Sequence, residues 1–165
     1  MQVAPALRAA PAPEAAVLRV ADLPWAELQA LLAGFGLDLH RVAAGTPIPG
    51  SFWGEPEAGV IAHNVYVRDD TPLHSLLHEA CHLIVLPPQR RALVHTDATD
   101  SDIEEDATCY LQVLLADRLP SVGRQRLMAD MDAWGYSFRL GSTATWFAHD
   151  AQDARDWLRT HGLPC

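Results

Sequence analysis

The chain has 165 residues, a net charge of −9 and 20% charged residues, a size that fits one domain able to bury most of its apolar surface. The acidic balance argues against direct binding of nucleic acid or an anionic membrane surface, and no apolar run approaches the roughly 18 residues a spanning helix needs. Three cysteines (Cys81, Cys109, Cys165) do not make a secreted disulfide framework, and the start of the chain does not resemble a signal peptide, so the expected compartment is the reducing cytoplasm.

In chain order, residues 1–20 read as an N-terminal arm, because Pro5, Pro11 and Pro13 interrupt any helix, and residues 21–165 as a single domain. A helix of about ten residues is predicted after Asp22 and Pro24, with Trp25, Leu28, Leu31 and Leu32 on one face and Gly34 and Gly36 at its end. Leu37 to Val42 alternates as a half-buried strand, Ser51-Phe52-Trp53 reads as a short second strand, and Gly59 to Val67 as a third. Thr71 and Pro72 then read as the cap and first residue of a helix whose Leu73, Leu76, Leu77, Ala80, Leu83 and Ile84 form a buried face, stopped by Pro87-Pro88. After a polar connection at 89–100, a long helix is expected from Ser101 to Leu119 and another from Val122 to Trp134. An irregular return from Gly135 to Trp146 and a terminal helix from His149 to Thr160 complete the chain. The expected class is α+β, a small sheet packed on two helices.

The helix after Pro72 carries His78-Glu79-Ala80-Cys81-His82. Residues four apart share a helix face, so the two imidazoles can be presented to one point. Zinc suits such a point, with nitrogen ligands at about 2.0–2.1 Å and a position left for water. Glu79 is too close in sequence to be a comfortable third ligand, but is well placed to take a proton from bound water. The plainer alternative is a hydrogen-bonded cluster inside the core; burying two His and a Glu in an apolar helix is costly unless something satisfies them.

Catalytic zinc sites usually have three protein ligands. His74 shares the face but lies eight residues from His82, about 12 Å along the axis, so one ion cannot accept all three. His95, in the connection, lacks the turn and spacing of a known third-His motif. The acidic start of the following helix is the better source. Glu104 falls on the stripe of Ala107, Thr108, Leu111 and Leu115; Asp106 lies on a neighbouring stripe, and Glu105 points most nearly outward. Ser101-x-x-Glu104 also fits a capping box, a purely structural use of the same carboxylate.

His78-Glu79-x-x-His82, followed 22 positions later by Glu104-x-x-Ala107-Thr108-x-Tyr110, resembles the gluzincin-type zincins and, more narrowly, the ImmA/IrrE-type metallopeptidases. The likeness covers residues 22–118. It departs from the family pattern at Thr108, where Asn is usual, at Ala80-Cys81 in place of Leu-Gly, and at Leu111 in place of Ala. The resemblance implies a zincin-like fold and a zinc-dependent peptidase, with His78, His82 and Glu104 as ligands and Glu79 polarising a metal-bound water for attack on a peptide carbonyl. It further implies a protein or peptide substrate, often a transcriptional regulator. By the same analogy the strand His63 to Val67 would pair with an extended substrate, with Tyr136, His149 and His95 as candidate oxyanion donors. Two alternatives stay open: a zincin-fold regulatory protein with little peptidase activity, and a metal-dependent hydrolase of another amide or ester.

Overall fold

The structure is a computed structural model that describes residues 16–98 and 101–165. The arm at 1–15 and the end of the polar connection at 99–100 lie outside the described residues. The contacts within the chain group it into two compact units: one is Leu18–Ala98, the other holds the described residues from 101 to 165 with residues 16–17. Among the described residues there are seven α-helices and one three-stranded sheet, an α+β composition. No helix among them is long and apolar enough to cross a membrane.

The unit Leu18–Ala98 begins with a single 3-10 turn at Val20–Asp22, then helix α1 (Trp25–Ala33), strands β1 (Asp38–Arg41), β2 (Gly59–Ile61) and β3 (Asn64–Val67), helix α2 (Leu73–Ile84) and a short helix α3 (Pro88–Arg91). α1 has the predicted place and buries Leu28 and Leu32. The sheet order is β1-β3-β2, parallel between β1 and β3 and antiparallel between β2 and β3. β3 is therefore the central strand, with Val65 opposite both Leu39 and Val60. This corrects the expected substrate edge, because both sides of His63 to Val67 already face neighbours.

Two strand predictions change. Gly59 to Val67 is a hairpin rather than one strand, turning at Ala62 and His63; Ala62 takes φ +52, and the Asn64 side-chain amide donates to the Ile61 carbonyl at 3.1 Å. Ser51 makes only an isolated bridge to Gly59, and Phe52 and Trp53 are exposed rather than paired in a strand.

α2 starts where Pro72 predicts a start, but Thr71 is not its cap. The Thr71 hydroxyl accepts the Arg68 N–H at 2.9 Å, closing the preceding turn, and Pro72 is the cap residue, its carbonyl accepting from Ser75 and Leu76 at 3.1 Å each. Residues of the sequence-assigned arm fasten this start: Leu73 N–H donates to Leu18, and Val20 N–H to Thr71, at 2.8 and 2.9 Å. All twelve residues of α2 are buried, and β2 and β3 pack on it. Burying Leu73, Leu76, Leu77 and Leu83 completely contributes about 1.5–3 kcal/mol each.

The other unit contains α4 (Asp102–Ala116), α5 (Gly123–Trp134), α6 (Thr143–His149) and α7 (Gln152–Thr160). α4 packs against α5 and α7, and α6 against α5. The predicted irregular return hides α6, which opens on Ser142 accepting the Thr145 N–H at 3.1 Å. Its Thr143 is fixed by Asp132, which accepts both the Thr143 N–H and hydroxyl, at 2.8 and 2.6 Å. Trp146 is buried against Phe138, with centroids 4.5 Å apart and near-parallel planes. Asp150 ends α6 and pairs with Arg139, so the predicted terminal helix starts later, at Gln152.

Candidate metal centre

The side chains of His78, Glu79 and His82 come together on α2. A ligand atom from each lies within 4.8 Å of the other two, and all three residues are buried. The imidazoles stand perpendicular, at 89° with centroids 4.6 Å apart, as expected for rings one helical turn apart converging on a point. Nitrogen ligands about 2.0–2.1 Å from a tetrahedral ion stand roughly 3.3 Å apart, and the ligand atoms here lie within 4.8 Å of one another. Two imidazole nitrogens and a carboxylate oxygen are the donors zinc and related divalent ions prefer. The three residues could hold a metal ion. His74, one turn earlier, is fully buried on the same helix.

Cys81, also on α2, is fully buried, which pushes its thiol well above the usual range, and it is not part of the His78, Glu79 and His82 cluster. His95 is exposed, shares a hydrogen bond with the Thr96 hydroxyl at 2.9 Å and is not in the α2 cluster. Among the other donor candidates, Tyr136 is buried and accepts from Gln112 at 3.5 Å, while His149 is exposed.

The structure adds a supporting residue that spacing alone did not single out. Ser75 lies three residues before His78 and seven before His82, on the same face. Its hydroxyl accepts the Ala58 N–H at 2.9 Å, tying the loop 48–58 to the histidine-bearing face just where β2 begins. That loop closes through the Ser51 hydroxyl donating to the Glu57 carbonyl at 3.1 Å. Two glycines permit it. A Cβ on Gly59 would sit 1.9 Å from the Pro49 carbonyl oxygen, and one on Gly50, at φ +71, 2.4 Å from that of Val60. The Gly50-Ser51 and Ala58-Gly59 pairs flanking the turn at Gly54 to Pro56 were the visible signal, though not its attachment to Ser75.

In its own unit, Glu104 sits in the first turn of α4 and is buried, as are Ala107, Thr108, Leu111 and Leu115 on its stripe. The Ser101 side of the anticipated capping box is present: Ser101 Oγ accepts the Glu104 N–H at 3.4 Å. Thr108, standing where the resembled family has Asn, donates its hydroxyl to the Glu104 carbonyl at 2.8 Å, within the same helix. Glu105 is half-buried and Asp106 buried. Burial, with Glu105, Asp102, Asp150 and Asp153 adding negative charge, pushes Asp106 up to about 7.

Comparison of the chain with protein-family models, with curated proteins and with solved structures gave no match in any of the three.

Proposed function

We propose that the chain is a small zincin-like zinc peptidase of the ImmA/IrrE type, acting on a protein or peptide. The observation that carries this reading is the buried convergence of His78, Glu79 and His82 on one helix, ligand atoms within 4.8 Å of one another. His78 and His82 are the zinc ligands. Glu104 is the third in this reading, supported by its buried stripe on α4 and by the spacing of the resembled family. When bound, zinc supplies a Lewis acid for the peptide carbonyl and lowers the pKa of a coordinated water to about 7.

The chain's own residues do the rest. Glu79, a residue away from His78 and buried, is the base: it takes a proton as the water oxygen bonds to the carbonyl carbon, then returns it to the leaving amine as the C–N bond breaks. The apolar helix around it excludes bulk water, which strengthens each charge interaction inside. Ser75 holds the neighbouring loop in place, its hydroxyl accepting the Ala58 N–H.

The test pairs metal content with turnover. Zinc-loaded wild type should cleave a quenched-fluorescent peptide mixture, and Glu79→Gln should keep its zinc while losing about 10²–10⁴-fold in rate. Zinc retained with equal turnover in both proteins removes Glu79 from the chemistry. Zinc bound without turnover in either leaves a regulatory metalloprotein; activity on small amides alone makes it a non-peptide hydrolase.

A further inference from the structure

Within the unit that holds α4 to α7 there is a cavity of about 110 Å³, open to solvent where His149, Gln152 and Arg155 are exposed. Tyr110 lines it from α4, Phe147 and His149 from α6, and Gln152 and Arg155 from the first turn of α7. None of the described residues lining it is acidic, in a chain whose net charge is −9.

Hydrogen-bond donors without acceptors gather around this space. Tyr110 is only 7% exposed, and its ring is stacked on Phe147 with centroids 4.5 Å apart. Its hydroxyl has no hydrogen-bond partner among the described residues, yet it is not sealed from solvent, so it opens into the cavity that the residue lines. A buried hydroxyl in that position calls for a partner. Arg155 is the second donor. It makes no ion pair among the described residues, whereas Arg159, one turn further along α7, pairs with Asp156 at 3.1 Å. The third is the helix terminus. α7 runs for nine residues, and its cap position is held by Ala151, whose side chain accepts nothing, so the amides of Gln152, Asp153 and Ala154 lack a capping acceptor. Such amides carry the positive end of the helix dipole and hold anions.

Size and field then define the occupant. A cavity of about 110 Å³ lies far below the roughly 300–1,000 Å³ of pockets for drug-sized ligands, so the occupant is only a few atoms across. Asp150, which ends α6, is paired with Arg139. Asp153 in the first turn of α7 and Asp106, buried one turn before Tyr110, keep negative charge nearby and oppose a doubly charged anion. A single guanidinium fork matches a planar carboxylate.

We infer that this cavity binds a small organic monocarboxylate, which accepts from the Arg155 guanidinium, the first-turn amides of α7 and the Tyr110 hydroxyl, with its short apolar tail against the Phe147 ring. Because Tyr110 belongs to α4 and Arg155 to α7, the bound acid bridges two helices that already pack together. No residue of α2 takes part, so the site is independent of the peptidase reading.

The test is a titration of the full ¹⁵N-labelled chain with sodium propionate, followed by NMR. The Gln152, Asp153 and Ala154 amides should shift saturably, with a dissociation constant of about 1–10 mM, as expected of so small a ligand. Arg155→Gln should weaken binding at least about tenfold. Tyr110→Phe, which keeps the ring stack and removes only the hydroxyl, should weaken it about threefold or more. Arg159→Gln should leave it unchanged, and propylammonium chloride at the same ionic strength should move none of these amides. Carboxylate taken up by a zinc ion on α2 would not depend on Arg155. No saturable shift on α7 up to about 100 mM, a shift that survives Arg155→Gln, or one that propylammonium reproduces overturns the site. Inorganic phosphate binding more tightly than propionate overturns the assignment to a monocarboxylate.

Discussion

Replacing Gly59 by Ala perturbs the joint between sheet, loop and metal helix, and its cost can be worked from distances. The new Cβ would stand 1.9 Å from the Pro49 carbonyl oxygen, 2.5 Å from the Ser51 nitrogen and 2.6 Å from the Gly50 carbonyl carbon. All three are backbone atoms, so no side-chain rotation relieves the clash; loop 48–58 must retreat by about 1.5 Å to reach ordinary van der Waals contact. Overpacking of this kind costs about 1–3 kcal/mol. Retreat also breaks the Val60-to-Gly50 and Ala58-to-Ser75 hydrogen bonds, about 1 kcal/mol each. The sum is roughly 4 kcal/mol, a melting-temperature loss of about 8–16 °C for a chain of this size. Calorimetry on metal-free protein measures it, with Gly54→Ala as the control: nothing lies within 4 Å of its added Cβ, and only its positive φ resists the change. The substitution should also weaken zinc binding, because the loop that steadies the histidine-bearing face has moved. A Gly59→Ala protein that melts within 2 °C of the Gly54→Ala control refutes the close packing from which the loop's role is argued.

The third ligand is separated by parallel substitutions. Glu104→Ala should lower zinc affinity at least about tenfold, since supporting residues alone are worth 10–100-fold, while Glu105→Ala leaves it nearly unchanged; competition against a chelating dye reads both, and the reverse order moves the ligand one position along α4. Asp106 gives a pH signature in metal-free protein. Its folded pKa of about 7 lies above the ordinary carboxylate value, so the two states bind protons alike below about pH 4, and the folded state becomes progressively disfavoured from there to about pH 7. Asp106→Asn removes that penalty: its stability gain over wild type should grow across this window and level off above it at about 1–2 kcal/mol, after solvent screening. Urea unfolding from pH 4 to 8 checks it, and a gain independent of pH contradicts it.

What the sequence made legible follows from locality. α2 was readable because its leucines repeat at helical spacing and Pro72 and Pro87-Pro88 bracket it, and the pairing of His78 with His82 comes from helix geometry alone. The break inside Gly59 to Val67 was not, because the turn is made by Ala62, with φ +52, at a position where Gly or Asn is the usual marker. Thr71 looked like a cap, but the same hydroxyl serves Arg68 one turn earlier, a choice that neighbouring residues alone leave open. α6 was hidden by the β-branched Thr143 and Thr145, poor helix formers held here by Asp132 and the Ser142 cap. The bridge of His95 to Ile61 and the central place of β3 depend on pairings between distant residues, for which periodicity carries no signal. The third ligand is non-local too; burial of Glu104 agrees with its predicted stripe, while its role rests on spacing.

The account stands or falls on the ion. Crystals of zinc-loaded protein, measured on both sides of the zinc absorption edge, should show one anomalous peak at α2, about 2.0–2.1 Å from a nitrogen of His78 and of His82, with about one zinc per chain in solution. No peak there, or one held by other side chains, contradicts it.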